Sequence, residues 1–313
     1  MYLRSLIVLS LVLTLCGSAT CAESGAKSPR TIRLLTVGNS FSGNATRYLP
    51  QFVEAAGHRL VLGRADLPGC SMERHWRHVE AAEADPASAE GRPYTVKVDG
   101  KNRQLSLKEI LLSDKWDFVT IQQASMISSD IKTYRPYAKN LRDYIKKHAP
   151  QAEVLMHQTW AYQVDDPRFD DPAKDSQRKM HSDLRNAYTT IARELGLRII
   201  PVGDAMYAGN TDPDWCYKPA KFDKAALKYP DLPDQTHTLH VGYLWRKDAA
   251  TGEYVLDMDG HHANQLGCYL AGCVWFEFLY GESVESNKYV PSTIRAADAR
   301  YLRALAHRIV QAK

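Results

Sequence analysis

The stretch IRLLTVGNSFSGN, residues 32–44, is the part of the sequence that decides the fold. Its first half, Ile32–Val37, is a short apolar run, and its second half is a glycine- and serine-rich turn before a helical pattern. Near-continuous apolar strands are typical of a parallel sheet that is buried on both faces. Loops at the carboxyl ends of such strands face the ligand crevice, so the turn presents Ser40 where a nucleophile would lie.

Apolar runs alternate with helical patterns along most of the chain. Strands are predicted at Ile32–Val37, Arg59–Arg64, Phe118–Gln122, Val154–Gln158 and Arg198–Val202. Helices are predicted at Ala45–Ala56, Leu107–Ser113, Tyr137–His148, Gln177–Leu195, Gln265–Tyr280 and Thr293–Gln311, and a two-residue hairpin around Asp99-Gly100. This alternation predicts a three-layer α/β/α sandwich around a five-stranded parallel sheet of the flavodoxin-like order 2-1-3-4-5.

The composition is that of a globular protein. The chain has 313 residues, of which 44% are hydrophobic and 24% charged, and this excludes disorder, collagen and coiled coil as the main state. The 40 basic and 36 acidic residues give a net charge of +4, too small for a nucleic-acid-binding surface. We expect a single domain over residues 23–313, with a loop-rich excursion at residues 211–258.

Residues 1–22 have the pattern of a secretory signal peptide. Arg4 precedes an apolar stretch at residues 5–15, and small residues follow, with cleavage expected after Ala19 or Ala22. A retained membrane anchor is the alternative, although the stretch is short for a span. After cleavage we expect a secreted or periplasmic protein without a membrane span. It would keep four cysteines that form at most one disulfide, with the pairing open: Cys70, Cys216, Cys268 and Cys273.

A second group of reactive side chains, DMDGHH, lies at residues 257–262, directly before a long apolar helix. Asp259 and His262 are three residues apart, and in a turn this spacing can bring the carboxylate beside a ring nitrogen. The carboxylate would then fix the tautomer of the ring and leave the second nitrogen free to take a proton from a serine. On the residues alone, Ser40 and the histidines can equally be ordinary turn and loop residues.

Together, these motifs resemble those of the SGNH, or GDSL-like, hydrolases. That family ends its first strand with Gly-Asp-Ser or Gly-Asn-Ser, as Gly38-Asn39-Ser40 does here. It carries Asp-x-x-His before its C-terminal helix, as Asp259 to His262 do here, with Gly267 downstream. The resemblance extends roughly from residue 31 to residue 281. It implies Ser40 as nucleophile, His262 as general base and then acid, and Asp259 as the residue that orients the imidazole.

The resemblance also implies the donors of an oxyanion hole. The backbone N–H groups of Ser40 and Gly69 are expected to contribute, since Gly69 follows the second strand as a glycine does in the family. The family's third motif, Gly-x-Asn-Asp, is replaced here by IQQAS at residues 121–125. This stretch is closer to a subfamily with Leu-Gln-x-x-Ser and has some likeness to sialate O-acetylesterase relatives. Gln122 is the expected side-chain donor, and Gln123 is the alternative.

The function implied is that of a secreted serine esterase without cofactor or metal. It would hydrolyse acetyl or other short acyl esters through an acyl-enzyme, with a small molecule or a glycan as the ester substrate. The substrate-binding residues are expected to include Asn39, Gln123, His75, Trp160 and His261.

Two alternatives stay open. A metal-dependent hydrolase would draw its ligands from His237, His240, Asp257, Asp259, His261 and His262. A non-catalytic carbohydrate-binding protein would stack sugar rings on Trp160, Trp215, Trp245, Tyr162 and Tyr243.

Overall fold

The computed structural model describes residues 28–170 and 176–312, so the predicted signal peptide at residues 1–22 lies outside the described part of the chain. The strands of this part are β1 (Thr31–Gly38), β2 (Arg59–Asp66), β3 (Tyr94–Val98), β4 (Lys101–Leu105), β5 (Phe118–Ile121), β6 (Glu153–His157), β7 (Arg198–Ile200), β8 (His240–Lys247) and β9 (Tyr254–Ala263). The helices are α1 (Ser40–Ala45), α2 (Leu49–Ala55), α3 (Met72–Ala84), α4 (Leu107–Leu112), α5 (Tyr137–His148), α6 (Gln177–Leu195), α7 (Val202–Thr211), α8 (Gln265–Tyr280) and α9 (Ala296–Gln311).

Five of these strands form one parallel sheet in the order β2-β1-β5-β6-β7. Counted by the strands of the sheet alone, this is the predicted order 2-1-3-4-5, and the predicted fold class is confirmed. The strand order reverses beside β1, so the residues that follow β1 lie at the switch point where ligands bind in open α/β sheets.

Two apolar cores, one on each face of the sheet, make the three layers. Leu34 in β1 belongs to the core shared with α2, α7, α8 and α9, whereas the next residue, Leu35, belongs to the core shared with α3, α4, α5 and α6. Both leucine side chains are completely buried. Successive residues of a strand point to opposite faces, so a strand that is buried on both sides has a continuous apolar run.

The predicted helices agree with the structure except around Ser40 and at the start of the last helix, which was expected at Thr293 and begins at Ala296. Helices α5, α6 and α8 begin and end where they were predicted. The predicted helix Ala45–Ala56 is wrong in its start, because the chain becomes helical at Ser40 and breaks before α2. Asn39 causes the early start, since its side chain accepts a hydrogen bond from the backbone N–H of Phe41 and caps α1. Helices α3 and α7 were not predicted.

The region that contains Asp259 and His262 also differs from its prediction as a turn. Residues 212–239 contain neither helix nor strand, but β8 and β9 then form an antiparallel hairpin. Asp259 and His262 both lie in β9. The short hairpin at Asp99-Gly100 is present as predicted, between β3 and β4. The four cysteines after residue 22 are free thiols. In the described ranges, no helix has the length and apolarity needed to cross a membrane.

Candidate active site

Ser40 lies at the carboxyl end of β1, as the first residue of helix α1. Asn39 holds this corner in place with both ends of its amide. Its oxygen accepts from the Phe41 N–H at 3.0 Å, and its nitrogen donates to the Cys70 carbonyl at 3.0 Å. The side chain of Asn39 is buried and supports the turn at Ser40.

The structure brings Ser40, His262 and Asp259 together in one chain of contacts. Nε2 of His262 lies 2.8 Å from Oγ of Ser40, across 222 residues of sequence. Nδ1 of the same ring lies 2.9 Å from Oδ2 of Asp259. Both distances are within hydrogen-bonding range, and this is the arrangement that activates a serine hydroxyl.

The carboxylate of Asp259 is surrounded by donors. Its Oδ1 lies 2.9 Å from Nδ1 of His261 and accepts from the backbone N–H of His262 at 3.1 Å. Burial alone would raise the pKa of Asp259, but the hydrogen bonds from the two histidines outweigh burial and hold that pKa far below its usual range. The carboxylate of Asp259 is therefore ionised at neutral pH.

A direct contact ties the two halves of the site to each other. The side-chain oxygen of Asn44, in α1, accepts from the backbone N–H of Ala263 at 3.1 Å, at the end of β9. This contact fixes α1 to β9 four residues after Ser40 and one residue after His262. Phe41 packs between them, with its ring 4.3 Å from that of Trp160 and 6.0 Å from that of His262.

Gln122, the predicted oxyanion donor, is bonded to three side chains of the protein. Its amide nitrogen donates to Oδ1 of Asn39 at 2.8 Å, and its oxygen accepts from Oγ of Ser42 at 2.5 Å. That oxygen also lies 2.8 Å from Nδ1 of His157, a buried ring whose pKa is lowered to about 3 by burial. Gln122 is thus the centre of a buried polar network beneath the turn at Ser40, and it fixes Asn39.

Three of the predicted substrate-binding residues are also buried in structural contacts. Gln123 accepts from the backbone N–H of Met72 at 3.1 Å. His75 lies 3.0 Å from the Gly38 carbonyl, and burial lowers its pKa to about 3. Trp160 is completely buried and donates to the His261 carbonyl at 2.9 Å. These three side chains support the site from behind and are not accessible to a substrate.

Gly69 lies in an exposed turn, residues 67–70, that is hydrogen-bonded to the turn before Ser40. The backbone N–H of Leu67 donates to the Gly38 carbonyl at 3.0 Å, and the Asn39–Cys70 contact closes the other end of this turn. Gly69 has a φ of 58°, in the left-handed region that favours glycine. As the first residue of a helix, Ser40 has a backbone N–H without an intrahelical acceptor.

A groove of about 370 Å³ runs from Ser40 along the end of β2, and it was missed in the sequence. Its walls are formed by Asn39, Ser40, Gly43, Arg64, Asp66, Leu67 and Pro68. Nη1 of Arg64 donates to Asp66 at 3.1 Å. Burial raises the pKa of Asp66 to about 6, although Arg64 and the hydroxyl of Thr36 act in the opposite direction. In the sequence, the feature that could have indicated this groove is Asp66, an acidic residue at the carboxyl end of the second strand.

His261 lies on the other side of the site, beside a pair of charged residues that the sequence did not indicate. Arg168 bonds both carboxylate oxygens of the buried Asp166, and its guanidinium lies 3.8 Å from the centre of the Tyr162 ring. Nη2 of Arg168 is 3.3 Å from Nδ1 of His261. The aromatic rings Tyr162 and Trp160 near this pair are buried and are not free to stack on a sugar.

Only three of the six side chains proposed as metal ligands lie close together. Asp259, His261 and His262 bring three ligand atoms within 4.8 Å of one another. His240 is buried with Nε2 at 3.0 Å from the Ala161 carbonyl, whereas His237 lies beside Asp298. The remaining carboxylate, Asp257, is bonded to Arg246. A cation here would compete directly with the contact between Asp259 and His262.

Sequence comparison identifies the family of the chain. A family model described as a domain of unknown function, DUF4886, matches residues 33–218. The chain belongs to the DUF4886 family. A DUF4886 family protein from Bacteroides uniformis ATCC 8492 has a similar solved structure, with 27% sequence identity and a TM-score of 0.66. The alignment covers 90% of this chain and 95% of that one. No curated protein matches the chain.

Two further solved structures are less similar to the chain. An SGNH hydrolase from Slackia heliotrinireducens is 18% identical with a TM-score of 0.47, over 79% of this chain and 98% of that one. A lipase/acylhydrolase from Enterococcus faecalis is 15% identical with a TM-score of 0.44, over 80% of this chain and 96% of that one. The DUF4886 match contains Ser40 and Gln122, whereas Asp259 and His262 lie beyond its end.

Proposed function

We propose that this DUF4886 protein is a secreted serine esterase that hydrolyses acetyl or other short acyl esters. The observation that carries the proposal is the contact between Oγ of Ser40 and Nε2 of His262 at 2.8 Å, in a ring whose Nδ1 is 2.9 Å from Asp259. A serine hydroxyl is a poor nucleophile until a base takes its proton, and the imidazole lies within reach to do so.

In the first half of the proposed reaction, His262 takes the hydroxyl proton while Oγ of Ser40 attacks the ester carbonyl. The tetrahedral intermediate carries negative charge on its oxygen, which the backbone N–H groups of Ser40 and Gly69 would stabilise. Loss of one such donor typically raises the barrier by about 3 kcal/mol. The imidazolium then donates its proton to the leaving alcohol, and an acyl-enzyme remains on Ser40.

In the second half, the same imidazole takes a proton from water, which attacks the acyl carbonyl. The acyl–Oγ bond then breaks, the imidazolium returns its proton to Oγ of Ser40, and the acid is released. Asp259 would act throughout through its bond to Nδ1, holding the tautomer that keeps Nε2 free and stabilising the imidazolium. The strong depression of the pKa of Asp259 suits this role, because only an ionised carboxylate offers that stabilisation.

The most direct test is p-nitrophenol release from p-nitrophenyl acetate by the wild type and by Ser40→Ala. We expect the variant to lose about 10⁴-fold or more in kcat, as serine hydrolases do when the nucleophile is removed. Ser182→Ala, an exposed serine on α6, is the matched control and should keep full activity. Equal rates for Ser40→Ala and the wild type would exclude Ser40 as the nucleophile.

Metal-dependent hydrolysis is the second candidate, because Asp259, His261 and His262 can offer three ligand atoms to one ion. The same assay separates the two functions when it is repeated after dialysis against EDTA. Activity that survives the chelator and disappears with a serine-directed phosphonate supports the esterase. Activity that is lost to the chelator and restored by zinc supports the metal site.

A purely carbohydrate-binding role has less support. Trp160 is completely buried, and Trp215 is stacked between His237 and Tyr301 with ring distances of 4.6 and 4.5 Å. These rings pack against the protein and have no free face for a sugar. Esters on carbohydrate remain part of the proposal, as substrates of the Ser40 site.

A further inference from the structure

We propose that Arg64 and Asp66 form the subsite that binds the hydroxyl groups of a sugar or polyol in the ester substrate. This inference rests on the proposed esterase function of Ser40 and names the substrate class of the same site. Both residues lie on β2, two positions apart, and both line the groove that begins at Ser40.

The pair is held in a fixed position in the wall of this groove. Nη2 of Arg64 donates to Oγ1 of Thr46 at 2.8 Å while Nη1 donates to Asp66 at 3.1 Å. The hydroxyl of Thr36 donates to the two oxygens of Asp66 at 3.0 and 3.1 Å. These contacts fix both side chains before any ligand arrives, and a subsite that is already ordered loses little entropy on binding.

Enough hydrogen-bonding capacity is left for a ligand. A guanidinium has five N–H donors, of which these contacts with described residues take two. The Asp66 carboxylate has about four lone-pair sites and is bonded by three side chains: Thr36, Arg64 and Ser42. The Arg64 side chain is 39% exposed and that of Asp66 is 16% exposed. Adjacent fixed donors and acceptors match a hydroxyl group, which donates and accepts at once, while Leu67 and Pro68 offer an apolar wall to the C–H face of a sugar ring.

The position of Asp66 is costly for stability. Its carboxylate is largely removed from water, and a partly buried charge of this kind destabilises the fold unless its partners compensate fully. Perturbed carboxyl groups in a cleft are concentrated at functional sites. A polar side chain without charge would fill the same space, so we attribute the retained carboxylate to a ligand in the groove.

The experiment compares two acetate esters that differ in hydroxyl groups. Acetate release is measured with the mono-O-acetyl methyl glucosides and with cyclohexyl acetate, which has a similar ring without hydroxyls. The quantity of interest is kcat/KM for the best glucoside divided by kcat/KM for cyclohexyl acetate. The variants are Arg64→Gln and Asp66→Asn, and the control is Asp143→Asn, an exposed carboxylate paired with Lys139 on α5.

We expect the wild type to prefer the glucoside, and each groove variant to lower the ratio by about 10- to 100-fold, mainly through KM. Asp143→Asn should leave the ratio unchanged. A ratio near or below one in the wild type, or an unchanged ratio in both groove variants, overturns the inference. An equal loss of kcat/KM on both esters also overturns the inference, because a general electrostatic or folding effect would lower both values.

The outcomes also separate this inference from the proposed function. If Ser40→Ala retains wild-type turnover of both esters, the esterase proposal fails. If turnover depends on Ser40 and the ratio does not respond to Arg64 or Asp66, only the subsite inference fails. A thermal melt of each variant checks folding, and Arg64→Gln alone carries the test if Asp66→Asn does not fold.

Discussion

Replacing Gly38 by alanine should damage the site through a single methyl group. A Cβ at this position would lie 2.4 Å from Oγ of Ser42 and 2.8 Å from Oε1 of Gln122. Both side chains are buried, so neither can move into solvent. Gln122 would have to shift, and its bonds to Ser42, Asn39 and His157 depend on its present position.

These contacts determine how much folding free energy Gly38→Ala should lose. Overpacking in a dense interior costs about 1–3 kcal/mol. A buried polar group that loses its partner costs about 1–3 kcal/mol more, so Gly38→Ala should destabilise the fold by about 4 kcal/mol. For a domain of this size that lowers the melting temperature by about 10 °C. A displacement of the Ser40 turn by about 1 Å should also reduce kcat/KM about 100-fold.

Gly43→Ala is the matched control for stability, because a Cβ at Gly43 meets nothing within 4 Å. Alanine is the better helix former, so this variant should melt at the same temperature as the wild type or higher. The assay is a thermal melt by circular dichroism, followed by p-nitrophenyl acetate hydrolysis for Gly38→Ala. A Gly38→Ala protein that melts within about 2 °C of the wild type would refute the steric argument.

Three further predictions concern the site, the groove and the thiols. Asp259→Asn should lower kcat on p-nitrophenyl acetate by about 10³–10⁴-fold, because His262 loses the acceptor that fixes its tautomer, whereas His261→Ala should cause a smaller loss. The reverse ranking would make His261 the base. Burial raises the pKa of Asp66 to about 6, so between about pH 4 and 6 the folded protein retains a proton that the unfolded chain has lost. The contribution of Asp66 to the free energy of unfolding should therefore fall by up to about 3 kcal/mol as the pH rises through this range. Urea titrations should show this fall as a change in the difference between the wild type and Asp66→Asn; parallel pH profiles would contradict it. Among the cysteines after residue 22, only Cys216 is not buried, so Ellman's reagent should modify it first in the folded protein. Rapid modification of a second cysteine of this set would show that the packing is wrong.

The fold could be predicted because its strands are buried on both faces. Leu34 and Leu35 pack into opposite cores, and this double burial produces the apolar runs that mark each strand. Helix α3 was missed because its residues are mostly charged or polar, and only a few of them, such as Val79, are buried. Helix α7 was missed because Pro201, at its start, was included in the preceding strand.

The candidate site could also be predicted only in part. Ser40, Asp259 and His262 could be identified from short motifs, since the spacing of Asp259 and His262 is local. The functions of Gln122 and His75 could not, because a glutamine or histidine at the end of a strand can face a ligand or a buried partner. The buried partner of Gln122 is Asn39, and that of His75 is the Gly38 carbonyl. Both partners are distant in the sequence and become neighbours only when the chain folds.

The separation of 222 residues between Ser40 and His262 has a consequence for synthesis of the chain. Every strand of the parallel sheet ends by Ile200, whereas the imidazole belongs to β9, which is translated much later. A nascent chain, or a product truncated after α7, would carry the serine hydroxyl without any group to activate it. Premature termination or proteolysis in this interval should therefore yield fragments that lack the proposed esterase activity.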